Sequence, residues 1–463
     1  MKKKITIANT QAFWGDRNEA SAELLSHVPD IDYLTLDYLS EVSLSIMAIQ
    51  QEKSPEEGFA KDFVDVVASL IPFWQDGAKV KVITNGGGLN PMLCAKACQK
   101  VLQGKLNRKL TIGVVTGDDV VKLIRNDPAN PSYNNLETNE PIETILNKLT
   151  TANAYIGANG IVEALNRGAD IVITGRVADP SMTVAPCVAE FGWKWNEYDK
   201  LAQATVAGHL IECGTQVTGG ISDGWLSLEE DLEIGFPIAE VDVEGNVVIT
   251  KGKGTGGHVT VDTVKEQLLY EIGDPSAYLS PDVKVSFLGL KVAQESRDRV
   301  SVKGAVGSAP PSTLKVSVTY RDGYKADGTL VIFGRDCRAK AERCGRVILE
   351  RMKRAGLPPE KSLVECIGCG DVVPGVKPFG SETKGDSPSQ ECLLRVSVID
   401  PHRETIEYFS RQMAPLVTSG PAGTTGYVTG RPSIRPVFGY WPCLIDGKDV
   451  IPKVEIVGAT DAK

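Results

Sequence analysis

The sequence predicts an α/β fold in which an N-terminal doubly wound, mostly parallel sheet over residues 1–235 is followed by an α+β domain over residues 236–463. Three observations carry that expectation. Short apolar runs alternate with helical stretches up to about residue 230, several of those runs are almost uninterrupted in apolar residues, and hairpin-like strands replace the alternation afterwards. Uninterrupted apolar strands belong to sheets covered on both faces, and repeated β-α alternation builds a parallel sheet through right-handed crossovers. A length of 463 residues agrees, because one hydrophobic core seldom serves so long a chain.

In order, "KKKITIAN", "IDYLTLDYL", "KVKVITN", "LTIGVVTG", "NAYIGAN" and "ADIVITG" are the expected strands of the first half. Between them lie the helices "PMLCAKACQKVL", "ETILNKL" and "IVEALNRG", the last closed by Gly168. "IAEVDVEGNVVIT" reads as a hairpin turning at residues 244–246, and "VKVSFLGLKVAQ", "DRVSVKGAVG" and "TLKVSVTYRDG" as antiparallel strands. An amphipathic helix over about residues 337–355 leads to the strand "SLVECIG" and to a β-α pair in "CLLRVSVIDPHRETIEYFSRQMAPLV". The Gly-, Pro- and Ser-rich residues 371–390 form a loop.

Composition narrows the function. With 42% apolar and 24% charged residues the chain has the make-up of a soluble globular protein. A net charge of -9 argues against nucleic acid or an anionic membrane as partner, since both call for basic patches. The N-terminus has the pattern of a first strand and not of a signal peptide, and no run reaches the roughly 20 apolar residues of a membrane span. A cytoplasmic location is expected. The ten scattered cysteines fit reduced core thiols. Cys366 and Cys369 form one close pair without a second at zinc-ribbon spacing, and on a strand they would point to opposite faces, so metal ligation by both requires a turn there.

"ITNGGGLNP" places Gly86, Gly87 and Gly88 between a buried strand and a helix, with Asn90 suited to the N-cap and Pro91 to the first turn. A tight β-α turn needs one glycine; three in a row favour close approach of an anionic ligand to bare N–H groups. The neighbouring strand ends carry Asp16 and Arg17, Asp37 and Glu41, Asp118 and Asp119, and Arg176, Asp179 and Ser181. Parallel sheets bind ligands at that carboxyl edge. Arg176 has the reach to grip a carboxylate or phosphate, or else to pair with Asp179. Asp118 and Asp119 suit helix caps as well as a site. "AGHLIECGTQ" sets His209 and Glu212 on one helical face, where they form either a general acid/base pair or a buried histidine satisfied by its neighbour. "GKGTGGH" matches G-x-G-x-x-G, but it follows a hairpin strand and no acid for a ribose comes after it, so NAD is disfavoured and a cradle for a small anion at Thr255, Gly256 and Gly257 is preferred. No Walker A sequence is present, which disfavours ATP, and no G-x-S-x-G or H-E-x-x-H occurs either.

"FWGD", "DYLSEVSLSI", "TNGGGLNP", "GADIVITGRVADPS", "AGHLIECGTQVTGG" and "GTGGHVTVDTVKEQLLYEIGDPSAYLSPDV", in this order, resemble the core of the acyclic terpene utilisation protein A (AtuA-like) family. The resemblance extends from about residue 5 to "RPSIRPVFGYWPCLI". It implies a role in catabolism of branched, carboxylated or CoA-activated carbon skeletons, with Asn85, Arg176, Asp179, His209, Glu212 and Thr255 as candidate site residues. Longer relatives carry a small ferredoxin-like C-terminal domain; this chain ends at Lys463, so either it works alone or a separate small subunit supplies that part.

The expectation that follows is a catabolic enzyme, a homo-oligomer, that binds a small carboxylate or acyl-CoA substrate between its two halves and adds or removes water. His209 and Glu212 move the proton, Asp179 or Asp118 positions water or a divalent metal ion, and Gly86, Gly87, Gly88, Arg176 and the Thr255 turn hold the anion. The alternatives are a non-catalytic ligand-binding or scaffold subunit of a catabolic complex, and a nucleotide-using transferase or ligase.

Overall fold

A computed structural model describes residues 2–229, 232–373, 390–427 and 429–458. Its central element is a ten-stranded mixed sheet. The strands that matter for the site are β1 (Lys4–Asn9), β2 (Tyr33–Leu36), β3 (Lys81–Thr84), β4 (Thr111–Thr116), β5 (Leu149–Ala154), β6 (Ile171–Thr174), β7 (Pro237–Asp242) and β8 (Val247–Lys251). Across the sheet the order is Lys291–Ser296, Arg299–Lys303, β8, β7, β1, β2, β3, β6, β4 and Lys453–Gly458. The five strands from β1 to β4 run parallel, with Ile83 level with Thr35 on one side and Val172 on the other. Antiparallel strands extend both edges. The fold is therefore α/β, and five strands after residue 236, namely β7, β8, Lys291–Ser296, Arg299–Lys303 and Lys453–Gly458, join the sheet of the N-terminal half.

Both faces are covered. Leu34 and Leu36 point into a cluster with Leu24, Phe63, Trp74 and Cys98 of three helices. Tyr33, one residue out of phase, points the other way and donates to Glu190 of helix Ser181–Phe191 at 2.6 Å. That alternation is the strand's own period of two. Beside it lies helix Tyr198–Glu212, in which every residue from 201 to 211 is buried. A helix enclosed all round carries no polar face, and this one therefore presents its polar groups to partners inside the protein.

Three sequence expectations change. "NAYIGAN" falls at the end of β5, which lies outside the ten-stranded sheet and pairs with strand Thr313–Phe333; the Thr151 and Thr319 hydroxyls meet there at 2.7 Å. "ETILNKL" forms no α-helix: Glu143 and Thr144 belong to a 3-10 turn, Ile142–Thr144, and Leu149 already opens β5. "VKVSFLGLKVAQ" divides into Lys284–Ser286 and Lys291–Ser296, in two different sheets.

The chain falls into two units, residues 1–319 with 440–463, and residues 320–439. Within the second, strands Lys361–Ile367 and Glu391–Asp400 pair antiparallel with each other, and the latter with residues 324–333. Cys392, Leu394, Val396 and Val398 alternate onto one face and meet Ile348 and Met352 of helix Cys337–Arg354. No helix among the described residues is long and apolar enough to cross a membrane.

Candidate functional site

The carboxyl ends of β1, β2 and β6, the turn after β5 and the end of helix Tyr198–Glu212 open into one cavity of about 670 Å³, lined wholly by the first unit. Its carboxyl groups are Asp37, Glu41, Asp179, Glu212 and Glu271; its cations are Arg176 and Lys315. Arg176, Asp179, His209 and Glu212, expected at one site, are brought together here.

Asn85 is wholly buried behind this wall. Its Oδ1 accepts from the Tyr38 N–H at 2.7 Å and its Nδ2 donates to Asp37 Oδ1 at 2.6 Å, which fixes the loop after β2. Burial, reinforced by Asp179, holds the Asp37 carboxyl well above the usual range.

The triple glycine does not reach the cavity. A Cβ on Gly87 would stand 2.5 Å from the Thr174 carbonyl oxygen and 2.9 Å from Pro91 Cα, one on Gly86 would stand 2.9 Å from the Tyr38 ring, and Gly88 has φ +52°. The Gly86 N–H is taken by Thr84 Oγ1 and that of Gly88 by the Asn85 carbonyl. These glycines let helix Pro91–Leu102 close on β6. Asn90 makes no cap bond and donates to the Glu57 carbonyl instead. Thr255, Gly256 and Gly257 likewise lie away from the cavity. Gly256 exchanges backbone bonds with Glu233 and Gly235, Thr255 Oγ1 bonds the Gly252 carbonyl, and a Cβ on Gly257 would collide with the Thr218 carbonyl.

Asp118 works from behind. It accepts the Arg176 N–H and the Asn153 side chain, each at 2.8 Å, and burial pushes its carboxyl up to about 6. Asp119 accepts the Val121 N–H at 3.0 Å. The Arg176 guanidinium is buried and committed: Nη1 donates to the Leu39 carbonyl at 2.6 Å, Nε to the Val177 carbonyl at 2.9 Å, and Nη2 pairs with Asp179. Its Cζ lies 4.6 Å from the centre of the Tyr155 ring, and Lys315 Nζ lies 5.2 Å from the same ring. Among the described residues no carboxylate pairs with Lys315.

His209 is 1% exposed. Its Nε2 is 2.9 Å from the Gln267 carbonyl oxygen, an acceptor only, so Nε2 carries a hydrogen. Its Nδ1 is 3.0 Å from Glu212 Oε1, and a hydrogen bond there needs one more proton, on either atom. The pair thus shares a single proton. Burial alone would lower the imidazolium, but Glu212 outweighs it and the His209 pKa rises; burial raises Glu212 to about 7. The other Glu212 oxygen, Oε2, is buried without a hydrogen-bond partner among the described residues. Asn9 secures the helix end beneath, donating to the carbonyls of Ile211 at 2.8 Å and Glu212 at 2.7 Å.

Sequence reading left Tyr155, Tyr278, Glu271 and Lys315 out of the site. Glu271 has φ +59°, a conformation that local sequence does not announce in a glutamate. Lys315 enters from a distant strand with no motif around it. Among the described residues, no three carboxyl or imidazole groups of this cavity bring ligand atoms within 4.8 Å of one another.

The model of one protein family, described as acyclic terpene utilisation family protein AtuA, matches residues 5–456. Neither a curated protein nor a solved structure matches the chain.

Proposed function

The chain belongs to the acyclic terpene utilisation family AtuA and has a catabolic role, and from that premise we propose that it is a lyase which adds water to, or removes it from, a small carboxylated or CoA-linked substrate in the cavity. The observation that carries this reading is the shared proton of His209 and Glu212 beside an unpartnered Glu212 oxygen. A carboxyl group near pH 7 takes up and returns protons with little energetic penalty, which is the property general acid/base catalysis needs.

In the hydration direction Glu212 Oε2 takes a proton from water as the water oxygen bonds to the β-carbon of a conjugated double bond. The π electrons move onto the α-carbon and its carbonyl, and the proton held by the Glu212 and His209 pair then passes to the α-carbon. Hydrogen and hydroxyl have been added and the pair is restored; dehydration is the reverse. Lys315 is the cation available to the substrate's negative charge, because Arg176 is already occupied. A volume of about 670 Å³ suits an acid or acyl group, with any CoA extending outward.

The test is mass spectrometry of ligands released from the purified chain, followed by turnover assays on the matching unsaturated and β-hydroxy acids, free and as thioesters. Hydration that falls about 10²- to 10⁴-fold in Glu212→Gln is the expected result. A ligand that binds without turnover would replace this reading with that of a binding subunit.

A further inference from the structure

Five of the ten cysteines lie in the unit of residues 320–439, and three of them converge. The sulfurs of Cys337, Cys369 and Cys392, all buried, lie within 4.8 Å of one another. They come from three elements: Cys337 opens helix Cys337–Arg354, Cys369 follows strand Lys361–Ile367, and Cys392 is an inward residue of strand Glu391–Asp400. Cys344, in the same core, stands apart from the trio.

The local geometry is that of a chelating turn. Cys366 and Cys369 are not both on the strand, which ends at Ile367; the Cys369 N–H donates to the Cys366 carbonyl at 3.0 Å, and Gly368 and Gly370 take φ +93° and +88°. This is the turn that the sequence reading required before the two thiols could serve one ion. Arg338 ties it to the helix, donating to the Cys369 carbonyl at 3.2 Å and to Asp371 at 2.9 Å. Asp371 in turn accepts the Cys366 N–H at 2.9 Å. Cys366, three residues before Cys369 on the same turn, is buried outside the trio, and its thiol donates to the Arg338 carbonyl at 3.8 Å.

We propose that Cys337, Cys369 and Cys392, completed by Cys366, bind a structural zinc ion in this unit. Zinc takes thiolates at about 2.3 Å in a tetrahedron, which sets sulfurs about 3.8 Å apart, and side-chain rotation covers the difference from the present spacing. Each thiol gives up its proton to solvent as its sulfur binds, and no electron is transferred. Four thiolates leave no open position, so the ion pins one helix to two strands and takes no part in the chemistry of the cavity.

The full chain, purified without chelator and dialysed, should hold about one zinc per molecule by elemental mass spectrometry. Cobalt(II) in its place should give thiolate charge-transfer absorption in the near ultraviolet. Cys369→Ser and Cys392→Ser should lose both signals and Cys344→Ser should keep them. Zinc retained equally by all three variants overturns the proposal, as does an intact chain that binds no zinc at micromolar concentration. Should the serine variants fail to fold, the cobalt spectrum of the intact chain decides: absence of the thiolate band overturns the proposal.

Discussion

Asn85 and Asp37, 48 residues apart, are joined at 2.6 Å where β2 and β3 end, and both are buried. Asn85→Leu removes the acceptor for the Tyr38 N–H, which is left buried and unsatisfied, and one of the two donors to Asp37 Oδ1, which keeps the Leu39 N–H at 3.1 Å. A loss of about 2–4 kcal/mol in urea unfolding is expected. A loss below about 0.5 kcal/mol would remove Asn85 from its positioning role.

Gly87→Ala tests what the triple glycine is for. Its Cβ would stand 2.5 Å from the Thr174 carbonyl, whereas one on Gly273 would meet nothing within 4 Å. Gly87→Ala should therefore cost about 1–3 kcal/mol of stability and Gly273→Ala under about 0.5. A ligand-contacting glycine would give the opposite result: weaker ligand binding with stability intact.

These two cases also mark what the sequence made legible. The parallel strands were readable because burial on both faces leaves uninterrupted apolar runs such as "ADIVITG", and the helix at Pro91 because its punctuation is local. Arg176 and Asp179 were readable as edge residues because they follow a strand end, and His209 and Glu212 as a pair because residues three apart on a helix share a face. Glycine runs were misleading, since close packing of a helix on a strand and close approach of a ligand demand the same missing side chain. Lys315, and strand Lys453–Gly458 that returns to pair with β4, depend on distant partners, and local pattern holds no trace of them.

Lys315→Gln should weaken binding of a carboxylated substrate about tenfold and leave turnover at saturation nearly unchanged, because the ammonium holds charge present in substrate and transition state alike. The wild-type affinity should also fall more steeply than the variant's as salt rises from low ionic strength. An unchanged KM and an unchanged salt dependence would show that the anion lies elsewhere.

Glu212 gives stability a pH dependence whose sign is fixed. Burial raises its carboxyl to about 7 in the folded chain, with Asp179 and Glu271 adding to the effect and His209 opposing it, while the unfolded carboxyl titrates near about 4.3. Between those values the folded chain binds the extra proton, so the associated stability is complete below about pH 4 and is lost as pH rises through about 7. The loss is at most about 4 kcal/mol. His209, also raised because Glu212 outweighs its burial, acts in the same direction. Asp118, raised by burial to about 6, titrates in wild type and variant alike and cancels in the comparison. Glu212→Gln cannot ionise, so its stability in urea should fall less than the wild type's between about pH 5 and pH 8. Parallel losses in the two proteins would mean that Glu212 is ionised throughout this range, and a carboxylate fixed in one state could not pass a proton to and from a substrate at neutral pH.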